Sequence, residues 1–163
     1  MNMFKALFAV LALSFSMSSF AGLTDEQYIE FTEALGDGNT KVVKKYVDAD
    51  PKLVNEKFFA WEPLQMAATK GKFETVKYLV EKGADLNYAH PASKMTAFHL
   101  AAFDGYEDIV KYLAAKGADV NIKMKGDISL IRVMKDEGTR AESMVKLLQS
   151  LGVSEEGCQD QCF

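Results

Sequence analysis

Two stretches of this chain are nearly the same sentence written twice. Residues 70–87 read KGKFETVKYLVEKGADLN and residues 104–121 read DGYEDIVKYLAAKGADVN, with every matched position offset by 34. The likeness extends backwards at the same offset, where residues 62–68 (EPLQMAA) face residues 96–102 (TAFHLAA). Self-similarity at a fixed period in this range marks a stacked array of short supersecondary units. Each unit reads as a helical hairpin with one apolar face per helix, and it can keep that face from water only by stacking on its neighbours.

The residues that carry the pattern resemble the ankyrin repeat, whose motif runs TPLHLAA, a turn with Gly, then EIVKLLLE-GADVN. Residues 96–102 supply the first part, residues 109–113 (IVKYL) the second and residues 117–121 (GADVN) the third. The Pro missing from that copy stands at Pro63 in the other. The resemblance implies an all-α solenoid of about four helix-turn-helix repeats, expected near residues 24–57, 58–91, 92–125 and 126–153.

The outer copies are less regular, as terminal caps are. Thr24 and Gln27 form a capping-box pattern, and the helix they start has an apolar face at Tyr28, Phe31, Ala34 and Leu35. After the Gly36, Asp37, Gly38 break, residues 39–47 repeat the helical period with Val42, Val43, Tyr46 and Val47 facing inward. Asn55 then falls where Asn87 and Asn121 do. At the other end, residues 128–134 (ISLIRVM) align with residues 96–102 at an offset of 32, and residues 144–148 with residues 109–113 at 35. Three extra residues are therefore expected around Gly138. Ala67, Ala68, Ala101 and Ala102 are small where inner helices of adjacent copies approach closely.

Residues 1–21 read as a cleaved secretory signal peptide: Lys5 opens it, residues 6–13 are apolar, and Ser19 and Ala21 suit a signal peptidase. The apolar stretch is too short for a stable bilayer span. The expected location is therefore periplasmic or secreted, with no membrane span after cleavage. Cys158 and Cys162 lie in the residue 154–163 tail, outside the repeats. In an oxidising compartment so close a pair tends to form a local disulfide. A redox or metal-handling role for the pair is the competing reading. It lacks the two-residue spacing of the thioredoxin-like motif and the further ligands that a zinc site needs.

The chemistry on offer is sparse. The formal net charge is −4 without a basic stripe, which argues against nucleic acid as partner. No metal-ligand, nucleophile or phosphate-loop motif occurs. Asp85 and Asp119 belong to GAD-N turns and read as turn formers. His99 stands at the His of the TPLH motif, where the resemblance implies a hydrogen bond between repeats. No catalytic residue, cofactor or metal is expected.

What the resemblance implies instead is a monomeric binder of another protein, with loop tips as fingers and inner helices as palm. Carried over copy by copy, the contact positions fall on Phe58, Phe59, Trp61, Thr69 and Lys70 in the second repeat. They fall on Tyr88, His90, Ser93, Met95, Phe103 and Asp104 around the third, and on Met124, Lys125, Asp127, Lys135 and Asp136 in the fourth. Aromatics at exposed fingertips point to an interface. The alternative for Phe58, Phe59 and Trp61 is that they fold over the junction of the first two repeats. An exported, short protein of this family suggests two partners, an antibacterial toxin that it neutralises as an immunity protein, or a periplasmic enzyme that it assists under stress.

Overall fold

The computed structural model describes residues 22–157; the expected signal peptide and both cysteines, Cys158 and Cys162, lie outside the described residues. Eight α-helices and two short 3-10 turns account for the regular structure among them. In chain order the helices are α1 (Asp25–Asp37), α2 (Thr40–Ala49), α3 (Pro63–Thr69), α4 (Phe73–Glu81), α5 (Ala97–Phe103), α6 (Glu107–Ala115), α7 (Leu130–Asp136) and α8 (Glu142–Ser150). They pair as four hairpins, with odd-numbered helices on the inner row and even-numbered helices on the outer row. No strand forms among the described residues; the loops carry two isolated antiparallel bridges, Phe58 with Trp61 and Met124 with Ile128.

Local chemistry starts the inner helices α1 and α5. The Thr24 hydroxyl accepts from the Gln27 N–H at 3.3 Å while the Gln27 side chain accepts from the Thr24 N–H at 2.9 Å, the reciprocal cap that the sequence announces. Thr96 and His99 repeat the arrangement on α5. The inner row buries Phe31, Leu64, Phe98 and Ile131; the outer row adds Val43, Val76, Leu79, Val110, Leu113 and Leu148 to one continuous core. Between hairpins the packing is close enough to require glycine. A Cβ built on Gly71, itself at φ 66°, would lie 2.4 Å from the Tyr106 ring of the next repeat.

A polar ladder runs along the side. The side-chain oxygen of Asn55 accepts from the Asp85 N–H and that of Asn87 from the Asp119 N–H, each at 2.8 Å. Asn121 makes the same contact to the Ser154 N–H at 2.7 Å. Asp85 and Asp119 accept from the backbone of Asn87 and Asn121, so they form the turns that present each rung.

The fourth hairpin corrects the alignment. Ser129, not Ile128, occupies the N-cap position of Thr96, so this inner helix follows its predecessor at 33 residues, not 32. Ser129 holds the extended N-cap backbone position, with its hydroxyl turned to the Glu155 carbonyl and not to the helix, whereas the apolar pattern of residues 128–134 accepts either register. The outer helices keep their spacing of 35, from Glu107 to Glu142, so two residues are inserted. They are taken up by the 3-10 turn Gly138–Ala141. In the corrected register Met134 and Lys135 replace Ala101 and Ala102. Helix α5 packs closely on α3 but not on α7, as bulkier side chains at the close-approach positions require.

Candidate interaction surface

The inner helices α3, α5 and α7 are each preceded by a finger, and backbone bonds fix the shape of all three. In the first, Phe58 and Trp61 exchange N–H donations at 2.8 and 3.0 Å around a two-residue turn. Phe59 and Ala60 occupy the centre of that turn at φ 52° and 68°. In the second, the His90 N–H donates to the Met95 carbonyl at 2.9 Å, and in the third the Met124 N–H donates to Ile128 at 3.0 Å. Neighbouring fingers are also joined. The Tyr88 hydroxyl donates to the Ala60 carbonyl at 2.9 Å, and the Lys125 N–H to the Ser93 carbonyl at 2.9 Å.

The candidate contact residues divide into two groups. Near the first finger, Phe59 is 78% exposed. The half-buried Trp61 ring lies 4.4 Å from His90, and the Lys57 ammonium sits over the Tyr88 ring at 5.1 Å. Phe58 does not belong to this surface. It is 1% exposed and packs on Phe31 and Tyr28 with ring centres 5.4 and 5.3 Å away, so its expected contact role is corrected to core packing. Phe58 stands at the closed base of the turn and faces the core under the first finger, whereas Phe59 lies in the turn itself and faces out.

The second group surrounds the wide space between α5 and α7. Phe103, Met124 and Lys125 line an open groove of about 760 Å³ together with Ile128, Val133 and the finger residues Ala92 and Ser93. A smaller cleft of about 370 Å³ meets it at Phe103 and carries Asp104, Glu107 and Glu137. Ile128 and Val133 were assigned to the repeat motif by the offset of 32; at 33, Val133 takes the place of Leu100 beside the palm. Six other expected contacts stand apart from the groove lining. Lys135 pairs with Glu155 at 2.5 Å, Met95 gives its carbonyl to Gln65, Lys70 lies exposed after α3, and Asp136 is exposed at the end of α7. Thr69 is half-buried at the end of α3, and Asp127 pairs with Lys123 at 3.2 Å.

Two buried titratable groups lie beneath the fingers. His99 is fully buried: its Nε2 donates to the Ile122 carbonyl at 3.0 Å, and its Nδ1 lies 2.8 Å from the Thr96 hydroxyl. Burial holds its pKa down at about 4, against the opposing pull of the Ile122 bond, so the ring is neutral. Glu62, 4% exposed, stands where Thr96 and Ser129 stand in later copies. Its Oε2 reaches no hydrogen-bond partner among the described residues. Burial first, and the Asp85 charge second, push its pKa up to about 7, with Lys57 pulling the other way. Glu62 is absent from the expected sites; its alignment with Thr96 is the signal that could have marked it, and nothing in the sequence tells that it is buried.

Among the described residues, no group of three or more His, Cys, Asp or Glu is placed to hold a metal ion, and no helix is long and apolar enough to cross a membrane. Residues 31–124 match the family described as Ankyrin repeats (3 copies). No curated protein matches the chain.

Proposed function

The chain belongs to the ankyrin repeat family, and from that premise we propose that it is an exported, non-enzymatic module that holds another protein in the groove between its third and fourth hairpins. One observation carries this reading. A short inner helix held away from its neighbour leaves Phe103, Met124, Ile128 and Val133 lining an open apolar groove of about 760 Å³. A contiguous apolar patch of this kind on a monomer marks an interaction site. The leader-like residues 1–21 support a periplasmic location, where the partner is an antibacterial toxin or a periplasmic enzyme.

The test is retention of a periplasmic partner by immobilised protein. Wild type and Ile29→Ser, changed on the exposed face of α1, should hold the same partner, and Val133→Arg, checked for folding by circular dichroism, should lose it. Equal retention by Val133→Arg overturns the groove assignment. Cell fractionation checks the location: full-length chain confined to the cytoplasm would sink that part. Protection of cells against a co-produced toxin separates the immunity role from the enzyme-partner role.

A further inference from the structure

We infer that the segment held in this groove joins an apolar side chain to a nearby carboxylate, with its acidic end lying toward the fingers. The inference rests on the protein-binding reading above and adds the chemistry of the partner.

The charges around the groove are not evenly spread. Among its lining residues the one charged side chain is that of Lys125, exposed and in no ion pair among the described residues. The bond from its N–H to the Ser93 carbonyl ties the third finger to the second, which brings Lys94, next to Ser93, onto the same rim. Lys94 is exposed and likewise makes no ion pair among the described residues. Its neighbours differ: Lys123 is neutralised by Asp127 at 3.2 Å, and Lys135 by Glu155 at 2.5 Å. Two uncompensated ammonium groups therefore stand at the finger side.

The opposite end has the reverse sign. The groove passes at Phe103 into the cleft that bears Asp104 and Glu137, the residues that cap the C-terminal ends of α5 and α7. Carboxylates at helix C-termini add to the negative end of the helix dipole. A segment laid across the apolar floor thus meets positive charge at one end and negative charge at the other. A carboxylate is favoured only at the finger end, and like charges facing each other at an interface are disfavoured. A polyphosphate backbone would carry its charge along its whole length into the acidic cleft, so nucleic acid fits poorly.

The test is a selection from a random-peptide display library on the purified full chain, with affinities of recovered peptides measured by fluorescence anisotropy. Recovered peptides should share an aromatic or aliphatic residue within a few positions of Asp or Glu. The double variant Lys94→Glu with Lys125→Glu should weaken them at least tenfold, and peptides with the acid replaced by Lys should regain affinity for that variant. Peptides that are lost with Val133→Arg yet rich in Lys or Arg, or indifferent to the double variant, overturn the acidic partner and leave the groove reading standing. A selection that returns nothing sensitive to Val133→Arg goes against both. A concentration-dependent dimer dispersed by Val133→Arg assigns the groove to a second copy and also overturns the inference.

Discussion

The Nε2 of His99 donates to the carbonyl of Ile122 across 3.0 Å, so that the start of one inner helix holds the loop leading into the next. Gln65 does the same one hairpin earlier, with its amide donating to the Met95 carbonyl at 2.8 Å and its oxygen accepting from the Glu62 N–H at 3.1 Å. Glutamine is therefore a working substitute for histidine at this position. His99→Gln should cost less than about 1 kcal/mol, whereas His99→Leu, which strands buried polar groups, should cost about 1–3 kcal/mol. Urea denaturation of the pair decides it; equal losses would contradict the equivalence.

Glu62 and His99 should bend the pH dependence of stability in opposite directions. The Glu62 pKa rises on folding to about 7, so its share of stability is complete below the unfolded value near 4.5 and is lost as pH rises through 7. The His99 pKa falls to about 4, so its share is complete above 6.5 and is lost as pH falls through 4. Each slope approaches about 1.4 kcal/mol per pH unit, and between pH 4.5 and 6.5 they oppose each other. Glu62→Gln should expose a stability that climbs with pH across that window, and His99→Gln one that declines. Denaturation curves from pH 4 to 8 that stay parallel to wild type would contradict both assignments.

Phe58 and Phe59 should respond in contrary ways to truncation. Phe58→Ala empties a filled site and should cost about 3–5 kcal/mol. Phe59→Ser should change stability by less than about 0.5 kcal/mol, the usual effect of a surface change. Ala60, at φ 68°, carries a side chain in the left-handed region; Ala60→Gly should raise stability by about 1 kcal/mol. Thermal melts of the three variants check all three signs.

Tyr78 and Tyr112 occupy one repeat position but differ at the hydroxyl. That of Tyr78 donates to Asp48 at 3.0 Å, an acceptor also paired with Lys82, whereas the buried Tyr112 hydroxyl finds no partner among the described residues. Tyr78→Phe should cost about 1 kcal/mol, and Tyr112→Phe should be neutral or stabilising, because it removes a buried polar atom without breaking a bond. A larger loss at Tyr112 than at Tyr78 in chemical denaturation would contradict the difference.

The hairpins were legible because stacking imposes one period on caps, turns and apolar faces together. Thr96, Asp85, Asp119 and His99 all do what their motif letters imply. The groove was legible only in part. Phe103, Met124 and Lys125 could be carried over from the family pattern, but Ile128 and Val133 were hidden by a slip of one residue that an apolar run cannot reveal. Phe58 and Phe59 are the same letter, and only the turn that begins at Phe59 decides which faces water. Glu62 aligns with Thr96 yet is not singled out, because neither its burial nor the Asp85 charge that acts on it, 23 residues further along, is written in the motif.

Because Asn55, Asn87 and Asn121 each offer the same oxygen to the unit that follows, any junction in the array is a place where a copy could be spliced in. A gene segment encoding residues 88–121, duplicated in tandem, would meet a matching acceptor at both of its new borders. Such a chain can therefore lengthen by copying itself, with no seam to invent, while the irregular ends stay where they are.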